Sequence, residues 1–412
     1  MGGNSAFGQV FNPSWIDGSP DGKVKPGLIV RTQNCTVGHE PPLSCGLGGK
    51  GDPEHGKGST NHSCCACNMR SVNDSLQKRS ILTFARLEGD DGSQTKSPKF
   101  TPLTSQSIVF EPVDDPPLND DFKGTEDPRV AMDPKTGIYY MFYVRAVVLE
   151  LALDLDLATV QRAIFLADKR VCAMQTCFHK GTYSDGAGGS LCLASTKDPS
   201  SSTSWTRHGT AFPGNHKSGA LLIRDSPPHY LISGAGEIHI AKSDDLLKWE
   251  LGPLFINDTA WGNPNVEAGP PPMKLSDGNY VFFHNSWGGE GVPQPGYQPA
   301  WVILDGAPDR GDAVSVRLLR CSTDPLMCAG TDPTHILARA PAPLWRPDYF
   351  PWMAGDTSPD TVCNVPQVSF LEAAHPVADK PDTFRLYYGG SDAVVGTAVV
   401  TFEKVQGVSC LP

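Results

Sequence analysis

The feature that most limits the possible folds of this chain is a series of short apolar runs bounded by Gly, Pro, Asn or Asp. Several runs alternate apolar and polar residues, and most contain β-branched or aromatic side chains, which is typical of strands. The 42 Gly and 37 Pro among 412 residues favour turns over long helices. The ten clearest runs are 27–33, 80–87, 138–144, 190–196, 220–225, 229–234, 280–285, 301–306, 384–390 and 397–403. This pattern predicts an all-β protein: a sandwich, a barrel or a propeller.

A repeated local pattern favours the propeller. Segments 195–205 and 241–249 both pass from a strand end through a turn containing Ser and Asp to a Trp that begins the next strand, and 84–100 is a degenerate copy. Similar units spaced tens of residues apart indicate stacked repeats around an axis. At about 40–50 residues per blade, the length predicts a five-bladed β-propeller with insertions at about 35–68 and 146–180.

No shift in composition and no Ser/Pro-rich linker divides the chain, so we expect a single domain over residues 1–412. The segment 146–169 is compatible with a helix, although its alternation of Leu with Glu, Ala and Asp also suits a strand.

Charge and composition exclude several classes of partner. The net charge of −11 opposes binding to a phosphate backbone, so we expect no nucleic-acid partner. No apolar run reaches the about 18 residues of a membrane span. The cysteine-rich loop has two histidines near Cys64, Cys65 and Cys67. Metal sites usually show paired Cys-x-x-Cys or His spacings, whereas adjacent Cys64 and Cys65 in a loop with a glycosylation triplet are more typical of a disulfide knot. We expect neither a metal nor an organic cofactor.

Twelve cysteines and four Asn-x-Ser/Thr triplets, at Asn34, Asn61, Asn73 and Asn257, favour an oxidising compartment. We therefore expect a disulfide-bonded glycoprotein, secreted or within the secretory-pathway lumen, although the N-terminus shows no signal-peptide pattern. A cytosolic enzyme with free thiols is the alternative.

Two motifs carry candidate chemistry. In the first, Gly124–Val130, Asp127 is held at a strand start by Pro128 and flanked by Arg129, which suits a general acid or a grip on sugar hydroxyls. A surface turn with a local ion pair is the alternative. In the second, 387–396, a strand enters a Gly-Gly-Ser-Asp turn, where Asp392 either accepts from two sugar hydroxyls or bonds its own backbone.

Together, the motifs GTEDPRV (124–130) and YYGGSDAVVGTA (387–398) resemble glycoside hydrolase family 130, the β-mannoside phosphorylases and hydrolases. Further similar elements follow in the family's order: VFNPSWI with GLIVRTQ, AKSDDLLKW, EAGPPPMKLSDGNYVFFHN, WVILDG and NVPQVSF. The resemblance spans positions 10 to about 403 and implies a five-bladed propeller that cleaves β-mannosides with inversion.

The resemblance implies that Asp127 is the single catalytic acid and that it delivers its proton through a mannose hydroxyl. The residues implied to hold the cleaved mannosyl unit are Asn12, Arg31, Arg129 and Asp392. Those matching the family's phosphate side are Lys217, His284, Tyr297 and, less securely, Arg207. Asp127 and Asp392 should then lie close enough to contact one sugar ring.

The motifs leave open whether the group that attacks the anomeric carbon is phosphate or water. Where the phosphorylases carry an Arg, this chain reads Leu231–Glu237, and a second carboxylate, Glu267, precedes Gly269-Pro270-Pro271. A carboxylate repels a phosphate dianion but activates a water, so we favour hydrolysis of terminal β-linked mannose, with Glu237 or Glu267 as base. Either glutamate could instead cap a turn or point into solvent.

Three alternatives stay open. One is a phosphorylase with inorganic phosphate as co-substrate, releasing mannose 1-phosphate. A second is a non-catalytic glycan-binding propeller, and a third is an enzyme of the fructosidase or arabinosidase type.

Overall fold

The computed structural model describes residues 9–33, 80–89, 97–112, 114–115, 119–120, 124–148, 187–211, 216–288, 296–306, 336–346, 368–390 and 394–402. Within these ranges the chain is almost entirely strands and turns, and the one helical element is the short 3-10 turn Ser105–Ser107. The all-β class predicted from the sequence is therefore confirmed. No helix in this part of the chain is long and apolar enough to cross a membrane.

The strands form five antiparallel meanders, which we number as blades 1 to 5. Blade 1 contains β1 (Gln9–Ile16), β2 (Gly27–Gln33), β3 (Ser80–Gly89), β4 (Lys99–Phe100) and β5 (Ile108–Phe110), and it is followed by the short pair β6 (Asp114–Asp115) and β7 (Asn119–Asp120). Blade 2 contains β8 (Gly124–Met132), β9 (Tyr139–Val148), β10 (Ala187–Thr196) and β11 (Thr206–Thr210).

The other three blades continue in chain order. Blade 3 contains β12 (Gly219–Leu222), β13 (His229–Ser233), β15 (Ile238–Ser243) and β16 (Glu250–Ile256). Blade 4 contains β14 (Ala235–Gly236), β17 (Asn265–Ala268), β18 (Met273–Lys274), β19 (Tyr280–Trp287), β20 (Gln298–Leu304) and β21 (Ile336–Arg339). Blade 5 contains β22 (Ser369–Pro376), β23 (Thr383–Gly390) and β24 (Val394–Thr401).

The first long strand of each blade lies innermost. Strand β8 contacts β1, β12 and β22, which are the first strands of three other blades. Blades 1 and 2 are linked by one parallel pairing, between Ser80 and Gly124, so they are separate meanders rather than one continuous sheet. Strand β1 also packs against all three strands of blade 5, which joins the two ends of the series. This arrangement is the β-propeller that the sequence predicted.

All ten apolar runs correspond to strands, and β2 occupies the same residues, 27–33, as the run that predicted it. The alternation at 146–148 continues β9 as a strand. The rest of that segment lies outside the described residues, as does the proposed insertion at 35–68.

The repeated pattern that ends in a Trp, at 195–205 and 241–249, occupies the same place in two blades, between the third and fourth strands. Asp198 accepts from the amide of Ser200 at 3.0 Å, and Asp245 accepts from the amides of Leu247 and Lys248 at 2.9 and 2.7 Å. These amide donors lower the pKa of Asp245. The two indoles, Trp205 and Trp249, then pack edge-on against Phe110 and Phe142, each of which belongs to the preceding blade. The repeat therefore helps to pack each of these blades against its neighbour.

Apolar side chains fill the spaces between blades. Met141 and Tyr143 of blade 2 pack with Ile29 and Leu82 of blade 1, and Phe283 of blade 4 packs against blade 5. Because these interfaces use both faces of each sheet, polar side chains are left to the ends and inner edges of the strands.

Most of the residues on which the prediction of a secretory compartment depends lie outside the described part of the chain. Cys192 is buried between blades 1 and 2, and the other eleven cysteines lie in segments that the structure does not describe. Of the four glycosylation triplets, only Asn257–Thr259 is described, and Asn257 is exposed. Disulfides, glycosylation and secretion therefore stay predictions.

Gly269 tests the packing of blade 4 on blade 5. A Cβ there would lie 2.5 Å from the carbonyl oxygen of Phe283 and 3.2 Å from that of Leu371. Since both contacts are main chain, Gly269→Ala should cost about 1–3 kcal/mol of unfolding free energy, measurable by urea denaturation. Gly89→Ala is the matched control, because a Cβ there meets nothing within 4 Å. Equal effects of the two substitutions would contradict this interpretation.

Candidate active site

Each blade brings one buried polar side chain to the inner edge of the ring. The five residues are Asn12, Asp127, Ser218, Glu267 and Glu372, and none exposes more than 9% of its surface. They lie on, or directly before, the innermost strands β1, β8, β12, β17 and β22. Buried polar groups need partners, and these residues find most of theirs across blade boundaries.

Local irregularities in the strands aim these side chains inward. The strand register shifts at Asn12, at Asp127 and at Glu372. Pro13 and Pro128 follow the first two of these residues, and a proline cannot donate to the ladder, which favours a bulge at that point. Asn12 and Asp127 adopt left-handed φ values of 47° and 50°. Such strain in non-glycine residues is concentrated at functional sites.

Asp127 lies at the centre of a hydrogen-bond network. Its Oδ1 accepts from Asn12 Nδ2 at 2.8 Å and from Arg31 Nη1 at 3.0 Å. Arg31 also donates to Ser80 Oγ at 2.9 Å and to Glu126 Oε1 at 2.5 Å, which fixes its guanidinium. Burial raises the pKa of Asp127, but the positive charges of Arg31 and Arg129 and the amide of Asn12 outweigh it, so this pKa lies below its usual value.

Glu267 has the opposite environment. Ser218 Oγ donates to its Oε1 at 2.5 Å and Tyr297 Oη to its Oε2 at 3.1 Å. Burial raises the pKa of Glu267, and the positive charge of Lys217 only partly offsets this. The Tyr297 ring is itself held by stacking on Trp287, with ring centroids 4.8 Å apart. Two buried carboxyl groups with opposite pKa shifts are a common basis for acid–base chemistry.

Arg129 is completely buried and connects three blades. Its guanidinium donates to the carbonyl oxygen of Asp127 at 2.7 Å in blade 2 and to that of Ala268 at 3.1 Å in blade 4. It forms an ion pair of 2.7 Å with Glu372 Oε1 in blade 5. Because its side chain has no exposed surface, the geometry assigns Arg129 a supporting role behind Asp127, and direct contact with a sugar stays a prediction.

Sequence reasoning missed Ser218 and Glu372. Glu372 was detectable, because Leu371-Glu372-Ala373 repeats the apolar-Glu-Ala pattern of Val266-Glu267-Ala268 at the start of the next blade. Burial and the negative charges of Asp127 and Glu267 raise the pKa of Glu372, against the effect of Arg129. Within the described residues, the site therefore contains a third buried carboxyl group beside those of Asp127 and Glu267.

Other candidate residues have different surroundings. The Glu237 side chain is 62% exposed and lies 3.8 Å from His239 Nε2, although the main chain of nearby Ala235 pairs with Glu267. Arg207 lies on the outer strand β11, with its guanidinium 3.7 Å from the Phe110 ring centroid and 3.2 Å from Tyr143 Oη. These contacts do not include the carboxyl cluster.

His284 is buried on β19, where burial lowers its pKa to about 4. It is therefore neutral at pH 7 and supplies no positive charge for an anion. Asp392 lies outside the described residues, so its predicted proximity to Asp127 stays a prediction. Of the residues predicted from the sequence, the structure brings together Asn12, Arg31, Asp127, Lys217, Glu267 and Tyr297, with Arg129 behind them.

The sequence is similar to known phosphorylases of mannose-containing oligosaccharides. A family model described as beta-1,4-mannooligosaccharide phosphorylase matches residues 104–328, more than half of the chain. The chain is 24% identical over 313 residues to a 1,2-beta-oligomannan phosphorylase from Thermoanaerobacter sp. (strain X514), a match covering 74% of this chain and 78% of that one.

Solved structures share the fold. A β-1,2-mannobiose phosphorylase from Listeria innocua is 14% identical with a TM-score of 0.54, and the match covers 95% of this chain and 89% of that one. A second structure is described by the statement that the family contains hydrolases that target β-1,2-mannosidic linkages in Candida mannan. It is 18% identical with a TM-score of 0.53, and the match covers 97% of this chain and 85% of that one. The chain belongs to glycoside hydrolase family 130, a family of mannoside phosphorylases and glycosidases.

Proposed function

We propose that this protein hydrolyses terminal β-linked mannose with inversion at the anomeric carbon. The observation that carries the proposal is a pair of buried carboxyl groups at the inner edge of the ring: Asp127, bonded by Asn12 and Arg31, and Glu267, bonded by two neutral hydroxyl groups. Names of related proteins include both phosphorylases and hydrolases and more often indicate phosphorolysis. The choice of water therefore rests on the site.

An inverting reaction needs an acid on the leaving-group side and a nucleophile from the opposite face. We assign the acid to Asp127, acting through a mannose hydroxyl, with Asn12 and Arg31 orienting the sugar around it. Glu267 would remove the proton from the attacking water, which then forms the bond to the anomeric carbon as the glycosidic oxygen leaves with its electron pair and gains a proton.

The charges around Glu267 support water over phosphate. A phosphate dianion next to an ionised carboxylate is repelled strongly where water is scarce. The cation that acts most on Glu267 is Lys217, whereas Arg129 is engaged with main-chain carbonyls and Glu372. His284 adds no charge at neutral pH because its pKa is about 4.

Phosphorolysis is the second candidate, and specific observations favour it. The curated relative is a phosphorylase, and Lys217 with Tyr297 could bind one phosphate if Glu267 holds a proton. Three relatives bear names that specify β-1,2 linkages, while the family description specifies β-1,4. We therefore propose β-1,2-mannosides as the first substrates to test. No metal or organic cofactor enters either scheme.

A product assay separates the two reactions. The protein is incubated with β-1,2- and β-1,4-mannobiose, with and without inorganic phosphate, and products are identified by ion-exchange chromatography. We expect free mannose in both buffers and the α-anomer first by NMR. Mannose 1-phosphate formed only with phosphate would replace hydrolysis by phosphorolysis. Binding of mannobiose without turnover in either buffer would instead indicate a glycan-binding protein.

Isosteric substitutions test the two carboxyl roles. Asp127→Asn should reduce turnover of mannobiose to below about a tenth of wild type, while the melting midpoint changes little because Arg31 keeps Glu126 and Ser80 as partners.

Glu267→Gln should slow the reaction by about 10²–10⁴-fold. Azide should restore turnover of this variant, with α-mannosyl azide as the product, because azide attacks without the help of a base.

The matched control is Glu237→Gln, the same substitution on an exposed side chain. We expect it to keep most of the activity. If Glu237→Gln instead lost activity and azide restored it, while azide did not restore Glu267→Gln, then Glu237 would be the base. Azide rescue of Asp127→Asn would exchange the assigned roles.

The pH dependence of the activity follows from the pKa shifts of Asp127 and Glu267. Activity requires protonated Asp127 and ionised Glu267, but the lowered and raised pKa values favour the opposite state in the empty site. The active form is thus a minority that is most populated between the two pKa values, so kcat/KM should be bell-shaped with its maximum on the acid side of neutrality. Rates from about pH 3 to about pH 9 test this, with folding monitored by circular dichroism. A plateau extending above neutrality would contradict the assignment.

A further inference from the structure

We propose that Glu372 is a positioning residue for Asp127 and acts through Arg129. It lies on β22 of blade 5, so blade 1 separates it from Asp127 in the ring, and it does not contact Asp127 directly in the hydrogen bonds of the described residues. The inference rests on the proposed function wherever turnover is the readout, and it assigns a role to a side chain that the reaction scheme above does not use.

Arg129 is the intermediary. The carbonyl of Asp127 accepts from Nη1, that of Ala268 from Nη2, and that of Gly269 lies 3.4 Å from Nε. The guanidinium also lies 5.3 Å from the ring centroid of Phe370. Its planar arrangement of donors therefore ties the turn at Asp127 to the inner strands of two further blades.

Glu372 is the side chain that holds this guanidinium from blade 5. Both side chains are 0% exposed, and Arg129 Nη1 is 2.7 Å from Glu372 Oε1. Within the described residues, neither oxygen of Glu372 accepts a hydrogen bond of good geometry. The carboxyl group thus has Arg129 as its close polar contact, and removing it would leave that side of the buried guanidinium without a polar neighbour.

The turn at Asp127 depends on this support. Asp127 holds a left-handed φ of 50°, a conformation that costs energy in a non-glycine residue and that is held here by the contacts around it. Arg129 bonds the carbonyl of that same residue. If the guanidinium shifts, the turn can relax and the carboxyl group moves relative to Asn12 and Arg31. A displacement of about 1 Å at a reacting group can cost about 10²-fold in rate.

Two variants of the full chain test the inference. Glu372→Leu removes the polar contact, and Glu372→Gln keeps a side-chain oxygen that can accept from Arg129. We expect the Leu variant to lose about tenfold or more in kcat with KM changed by less than about threefold, and the Gln variant to recover most of kcat. Leu386→Ala is the stability control, because Leu386 is buried in blade 5 on the second strand, away from Arg129. It should lower the melting temperature without this loss of kcat.

Hydrogen exchange measured by mass spectrometry gives a readout that does not need the substrate. Peptides covering 124–130 should exchange faster in the Leu variant than in wild type, at a temperature well below both melting transitions, while Leu386→Ala confines its effect to blade 5. Unchanged exchange at 124–130 in the Leu variant would overturn the inference, as would equal kcat losses in the Leu and Gln variants. If wild type cleaves no mannoside, the proposed function fails, and the exchange data still decide the role of Glu372.

Discussion

The contacts of one buried guanidinium hold the inner edge of this propeller together. Arg129 binds main-chain carbonyls from blades 2 and 4 and the carboxyl group of Glu372 from blade 5. A charge with no exposed surface is costly unless every donor finds a partner. Satisfying it requires the three inner strands to converge, and the same convergence presents Asp127 to the space in front of Arg129.

The electrostatics of the site follow from that arrangement. Asp127 shares its carboxyl oxygen with Asn12 and Arg31, so its ionised form is stabilised. Glu267 receives two neutral hydroxyl donors in a buried position, and its ionised form is stabilised less. The difference between the two carboxyl groups is thus a difference between charged and neutral donors at similar burial. The family contains enzymes that cleave mannosides with phosphate or with water, and in the proposed function these donors favour water.

Local sequence patterns were enough to predict most of the strands and several of the candidate site residues. Period-two alternation located the strands because half-buried strands need that alternation wherever they fold, as β2 illustrates. The Asp-Pro-Arg motif located Asp127 because a proline after a bulged residue has a local effect on the ladder. Glu267 was identified together with Glu237, and sequence alone could not separate them. Glu267 lies on β17, whereas Glu237 directly follows β14, the short strand that pairs with β17. Whether each side chain faces the axis or the solvent depends on the packing of the blades.

The amino-acid sequence by itself determined the all-β class, the repeated pattern that ends in a Trp, the family resemblance and the choice of Asp127 as a candidate, since each is encoded within short segments. Tertiary structure decided that Arg129 supports the Asp127 turn, that His284 is neutral, and that Ser218 and Glu372 join the site. The contacts that bring Ser218 and Glu372 into the site join residues from about 50 to more than 240 positions apart in the chain. Burial and donor geometry at such contacts exist only once the blades have closed around their common axis.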